Sequence, residues 1–183
     1  QAAHQAVDQF GRVEGRDGGA SYFQYKVFRA VDLAQILRDL LARTALTLPR
    51  LRELSPAELN SHPGGHPNSP AWLLWHTGRE IDMQLAHLSG DAEVWEEFRE
   101  RVGLGEIGDT LGYGHSNSEA ASVQVEDFTV LIEYIGATLG AAHQYISGVS
   151  DWGEIIDTYD GEPITRHVRV TSILIDAIEH LAQ

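Results

Sequence analysis

Asp176 and His180 stand four residues apart in the segment RVTSILIDAIEH. On a helix advancing about 100° per residue, that spacing places a carboxylate and an imidazole on one face, a turn apart. A second imidazole, His76, occurs in AWLLWHTGREID, with Glu80, Met83 and His87 along the same edge. Two imidazoles and a carboxylate suffice as the protein shell of a catalytic zinc ion, leaving a further position for water or substrate. Iron, nickel and manganese accept the same donors. A D-x-x-x-H pair is also an ordinary helical ion pair, and a lone boundary histidine is commonly satisfied within its own fold. Glu80, one turn from His76, is an alternative carboxylate. The residue pattern alone leaves these readings open.

Four helical segments must position these groups. From Val31 to Leu54, apolar residues recur every three and four positions, with Pro49 late in the run as a kink or stop. Ser69 followed by Pro70 has the form of a helix start, and Gly90 of a helix end, which gives a second helix over 70–89. Leu73, Leu74, Ile81, Leu85 and Leu88 form its apolar stripe. A third helix is expected over about 126–146 and a fourth from about Thr165 to the end, with Val170, Ile173, Leu174, Ala177 and Leu181 as its buried stripe. Between the second and third lies an inserted region with a short helix near 94–102 and a Gly-dotted loop. A small hairpin is expected within 151–163. The fold class is therefore all-α, a four-helix bundle with a loop and short-helix insertion. Residues 1–24, including GRVEGRDGG, read as a flexible lead-in to a domain spanning 25–183.

Composition narrows the function classes. The chain of 183 residues carries 13 Lys and Arg against 27 Asp and Glu, a formal charge of −14. Such a surface repels phosphate backbones and anionic lipid, so neither nucleic acid nor a membrane is an expected partner. There is no cysteine, which excludes disulfides and thiolate zinc sites and suits a reducing cytoplasm, the expected location. Gly103, Gly105 and Gly108 spell G-x-G-x-x-G but follow the charged piece WEEFRERV, not a strand, so no dinucleotide site is expected. His62 and His66 sit in a Pro- and Gly-rich connector. Trp72 and Trp75 read as packing residues.

Three segments together, NSPAWLLWHTGREID, LGYGHSNSEAASVQV and RVTSILIDAIEHLAQ, resemble the DinB-like superfamily. Within it they are most similar to the actinobacterial branch of mycothiol S-transferases, related to the metal-binding domain of mycothiol-dependent maleylpyruvate isomerase. The resemblance runs from about Val31 to Gln183. It implies a DinB-like four-helix bundle in which His76 and His180 are ligands of one divalent metal, zinc first among the candidates. Where many relatives carry another histidine four residues before the last, this sequence has Asp176, a change toward harder ions.

The activity so implied is that of a metal-dependent transferase. A low-molecular-weight thiol, mycothiol-like, attacks an electrophilic small molecule from the metal centre. With no cysteine in the chain, the nucleophilic sulfur has to come from the cosubstrate. Arg169, Tyr113 and His115 are the candidates for contacting the thiol's polar body, and a homodimer is compatible with the resemblance. The alternatives are an isomerase or hydrolase on the same scaffold and a non-catalytic module that binds metal or another ligand.

Overall fold

Most helix boundaries follow local capping chemistry in this computed structural model, which describes residues 32–183. The expected lead-in over 1–24 and the first residues of the expected domain, 25–31, lie outside the described residues. Helix α1 (Leu33–Thr47) starts at Asp32, whose side chain accepts the Ala34 amide. A single 3₁₀ turn at Leu48–Arg50 contains Pro49 and ends the run before Leu54. The proline ring has no amide to continue the ladder, so of the two expected outcomes, kink or stop, the stop is the one observed. The short α2 (Pro56–Leu59) carries a reciprocal Ser55–Glu58 capping box.

Helix α3 (Pro70–Ser89) has both of its expected ends: the Ser69 hydroxyl accepts the Trp72 amide, and Gly90 closes it in the left-handed conformation. The insertion holds α4 (Trp95–Val102), a 3₁₀ turn at Gly105–Asp109 and α5 (Asn117–Ser122). The last of these is a helix where a loop was expected, formed because Ser116 and Glu119 make a second capping box. Helix α6 (Phe128–Gly148) begins two residues after the expected position, because Asp127 caps it through the Thr129 amide. Strands β1 (Ile155–Tyr159) and β2 (Glu162–Thr165) form an antiparallel hairpin that leads directly into α7 (Arg166–Leu181). No side chain caps α7. The Arg166 amide donates to the Glu154 carbonyl at 2.9 Å and the His167 amide to the Trp152 carbonyl at 3.1 Å.

Four long helices make the bundle. α3 packs against α6 and α7, and α1 packs against the same two from the other side. The shared core includes Leu37, Leu41, Trp75, Ile81, Leu131, Ile135, Ile173 and Leu174, all at most 3% exposed. α3 differs from an ordinary amphipathic helix in being buried nearly all round, including Thr77, Arg79, Glu80 and Asp82. The insertion covers the face of α3 that the other long helices leave open. Among the described residues, no helix is long and apolar enough to cross a membrane.

Candidate metal centre

His76 projects from the middle of α3, while Asp176 and His180 project from successive turns of α7. The packing of α3 on α7 brings them together: one potential ligand atom from each lies within 4.8 Å of the others. His180 Nε2 stands 3.5 Å from Asp176 Oδ2. A charge-assisted hydrogen bond would settle at about 2.7–2.9 Å. Two ligands at tetrahedral angles, each about 2.1 Å from a zinc ion, stand about 3.4 Å apart. The observed separation fits an edge of a coordination polyhedron and equally a loose ion pair.

The tautomer of His76 is set by its surroundings. Its Nδ1 lies 2.6 Å from the Leu111 carbonyl, which can only accept, so Nδ1 carries the proton. Nε2 is left with the lone pair that a metal requires. Burial holds the His76 imidazole below its ordinary value, and nearby His180 adds to this against the opposing pull of the Leu111 carbonyl. The ring is therefore kept neutral, the form that ligates. The donor set and tautomer fit a divalent ion.

Arg79 anchors the loop that carries Leu111. Its buried guanidinium donates to the Thr110 carbonyl at 3.2 Å and the Asp109 carbonyl at 3.2 Å, and it pairs with Glu93 at 2.8 Å. His76 and Arg79, one turn apart on α3, thus grip three consecutive carbonyls of one segment, 109–111.

A cavity of 730 Å³ opens over the three candidate ligands and is also lined by Arg169, Tyr113 and His115. All six sequence-derived candidates therefore reach one cavity. Arg169 is half-buried and held in place, donating to Asp157 at 2.6 Å and to the Gln84 side-chain oxygen Oε1 at 3.2 Å. Tyr113 stands at the rim, 89% exposed. His115 lies deeper, with its ring nitrogens 3.2 Å from Trp72 Nε1 and 3.2 Å from Thr110 Oγ1.

Glu80 belongs to this wall too. It is 6% exposed, and one carboxyl oxygen accepts from the Gln84 amide while the other has no hydrogen-bond partner. Burial first, and then the adjacent Asp176 carboxylate, push its carboxyl up to about 8. A buried acid beside a half-exposed one makes a place where positive charge is stabilised. The i, i+4, i+8 spacing of Trp72, His76 and Glu80 was the signal available for this wall. The Leu111 carbonyl carried none, because every residue has one.

The sequence profile of the DinB superfamily matches residues 39–183, most of the chain. The chain belongs to the DinB superfamily. A solved structure described as "Crystal structure of the conserved protein of locus from Enterococcus faecalis" is similar to it, with a TM-score of 0.67 and 28% sequence identity. The similarity covers 82% of this chain and 89% of that one. No curated protein matches the chain. The all-α DinB-like fold expected from the three motifs is the one observed.

Proposed function

We propose that this DinB-superfamily chain is a metal-dependent transferase in which a small thiol of mycothiol type attacks an electrophile beside His76, Asp176 and His180. The observation that carries the reading is the convergence of these side chains on a 730 Å³ cavity in a chain without cysteine. Zinc is the proposed ion, and the donors also suit nickel, iron or manganese. A divalent ion there would supply the charge that deprotonates a coordinating thiol, whose ordinary pKa of about 8.5 leaves little thiolate at neutral pH.

The protein's own groups do the rest. His76, held neutral and oriented by Leu111, and the His180–Asp176 pair on α7 gather the donors. Trp72, stacked on His76 with ring centroids 4.5 Å apart, keeps water from one side of the imidazole. Arg169 offers a fixed cation to the polar body of the thiol, with Tyr113 at the mouth. In the transfer, sulfur forms a bond to the electrophilic carbon. The displaced electron pair departs with the leaving group, and the thiol proton passes to solvent.

Elemental analysis of the purified protein, paired with a conjugation assay using mycothiol and an aryl halide, tests the proposal. The expected result is about one divalent ion per chain, lost in His76→Ala and His180→Ala, with turnover reduced on the order of 100-fold or more. Turnover undiminished in both variants would sink it. Metal bound without conjugation of any thiol and electrophile pair would mark a binding module. Hydrolysis or isomerisation without thiol would mark a different reaction on the same scaffold.

A further inference from the structure

In the segment Gly112-Tyr113-Gly114-His115, the first and last residues lie against Trp72 and Trp75 while Tyr113 projects outward. Gly112 has φ +85°, and a Cβ there would lie 2.8 Å from a ring atom of Trp75 and 3.2 Å from one of Trp72. Only glycine lets the backbone come this close with that φ. The close approach places the preceding carbonyl, Leu111, on His76 Nδ1.

His115 then closes the arrangement, and its donors and acceptors can be assigned without ambiguity. Indole Nε1 of Trp72 can only donate, so His115 Nδ1, 3.2 Å away, is an acceptor. His115 Nε2 must then carry the proton. It lies 3.2 Å from the Thr110 hydroxyl oxygen, which gives its own hydrogen to the Ile107 carbonyl at 2.8 Å and is free to accept. The His115 ring also stacks on Trp75, with centroids 5.8 Å apart and planes 16° apart. Both nitrogens of His115 are spent inside the fold. Trp72 in turn lies nearly parallel to His76, with a 23° angle between planes, and at 82° to the His180 ring.

We propose that Trp72 and His115 are positioning residues of the metal centre: His115 locks the Trp72 indole, and the indole face fixes the plane of His76. The proposal rests on the metal centre described above. It gives His115 a different task from contacting the thiol, since the residue acts through Trp72. Groups that orient a ligating histidine typically contribute about 10- to 100-fold in metal affinity.

Metal titration of the wild type, Trp72→Leu, His115→Leu and His115→Asn, each checked for folding by circular dichroism, tests this with zinc alone. The two leucine variants should bind zinc about 10-fold or more weakly. His115→Asn, which restores an acceptor near the Nδ1 position, should recover much of the loss. Affinities within about twofold of wild type in both leucine variants overturn the positioning role alone. A wild-type protein that binds no zinc or other divalent ion overturns the centre and this proposal together. If the leucine variants do not fold, histidine nitrogen NMR of the wild type decides. Protons on His115 Nε2 and His76 Nδ1 are expected, and a His115 proton on Nδ1 refutes the assignment.

Discussion

Glu80 and His76 sit one turn apart, and burial acts on them with opposite consequences for pH. Folding raises the Glu80 carboxyl from 4.5 to about 8. Between those values the folded chain holds more protons than the unfolded one, so this contribution to stability fades as pH rises through 8. Folding lowers His76, so here the unfolded chain takes the proton first and stability is lost as pH falls below 6.5. Below 6.5 the two effects offset each other, and between 6.5 and 8 the Glu80 loss stands alone, so the metal-free protein should weaken from neutral toward alkaline pH. Glu80→Gln should remove that alkaline decline and leave the acidic loss from His76 unopposed. Urea unfolding of the metal-free wild type and variant at pH values of about 5.5, 7 and 8.5 measures this, and parallel slopes on the alkaline side would refute it. The helical spacing made the three candidate ligands visible, but their types fit an ordinary ion pair as well, and the family resemblance is what singled them out. The Gln84 amide was not legible. Its orientation follows from Arg169, a pure donor 85 positions away, and only the folded chain brings the two together.

Between elements, the sharpest constraint is where α3 crosses α6. A Cβ at Gly78 would lie 2.4 Å from a ring atom of Tyr134. The Tyr134 hydroxyl donates to Asp82 at 2.8 Å, and Asp82 accepts the amides of Val94 and Trp95 at 2.8 and 2.7 Å. Asp82 thus caps the start of α4 from a different helix. Alanine is the better helix former by about 1 kcal/mol, yet overpacking costs about 1–3 kcal/mol. Gly78→Ala should therefore destabilise the protein and loosen α4, as denaturant unfolding and amide exchange at Val94 and Trp95 would show. A variant as stable as wild type would mean that Tyr134 yields easily. The ends of α3 were readable from Ser69, Pro70 and Gly90. Its burial on all sides was not, because the polar residues Thr77, Arg79 and Asp82 look like a solvent face until the insertion folds over them. The short α5 was missed for the opposite reason. Six residues are too few to show periodicity, and the Ser116–Glu119 box was its one signal.

Over the whole molecule, a formal charge of −14 works against compaction. Salt screens that repulsion, but it also weakens exposed ion pairs such as Arg99 with Asp109 and Arg101 with Glu133. Each exposed pair contributes about 0–1 kcal/mol, so the net repulsion should dominate. Raising sodium chloride from a few millimolar to about 0.5 M should lift the melting temperature by roughly a few degrees. A fall in melting temperature would show that the ion pairs matter more. At this scale the sequence was most informative. Four periodic stretches joined by capped turns admit few arrangements other than a bundle, whereas the order in which helices neighbour one another depended on packing.

The way the hairpin meets α7 has a bearing on the charge offered to an acidic guest. A helix start ordinarily offers unfilled amides and partial positive charge, a natural cradle for a phosphate. Here the carbonyls of Trp152 and Glu154 already occupy two of those amides. Arg169, which does line the cavity, is already paired with Asp157 of β1, so an acidic guest would have to compete with that carboxylate for the flat guanidinium. The hairpin thus tempers positive charge both at the helix start and on the cavity wall.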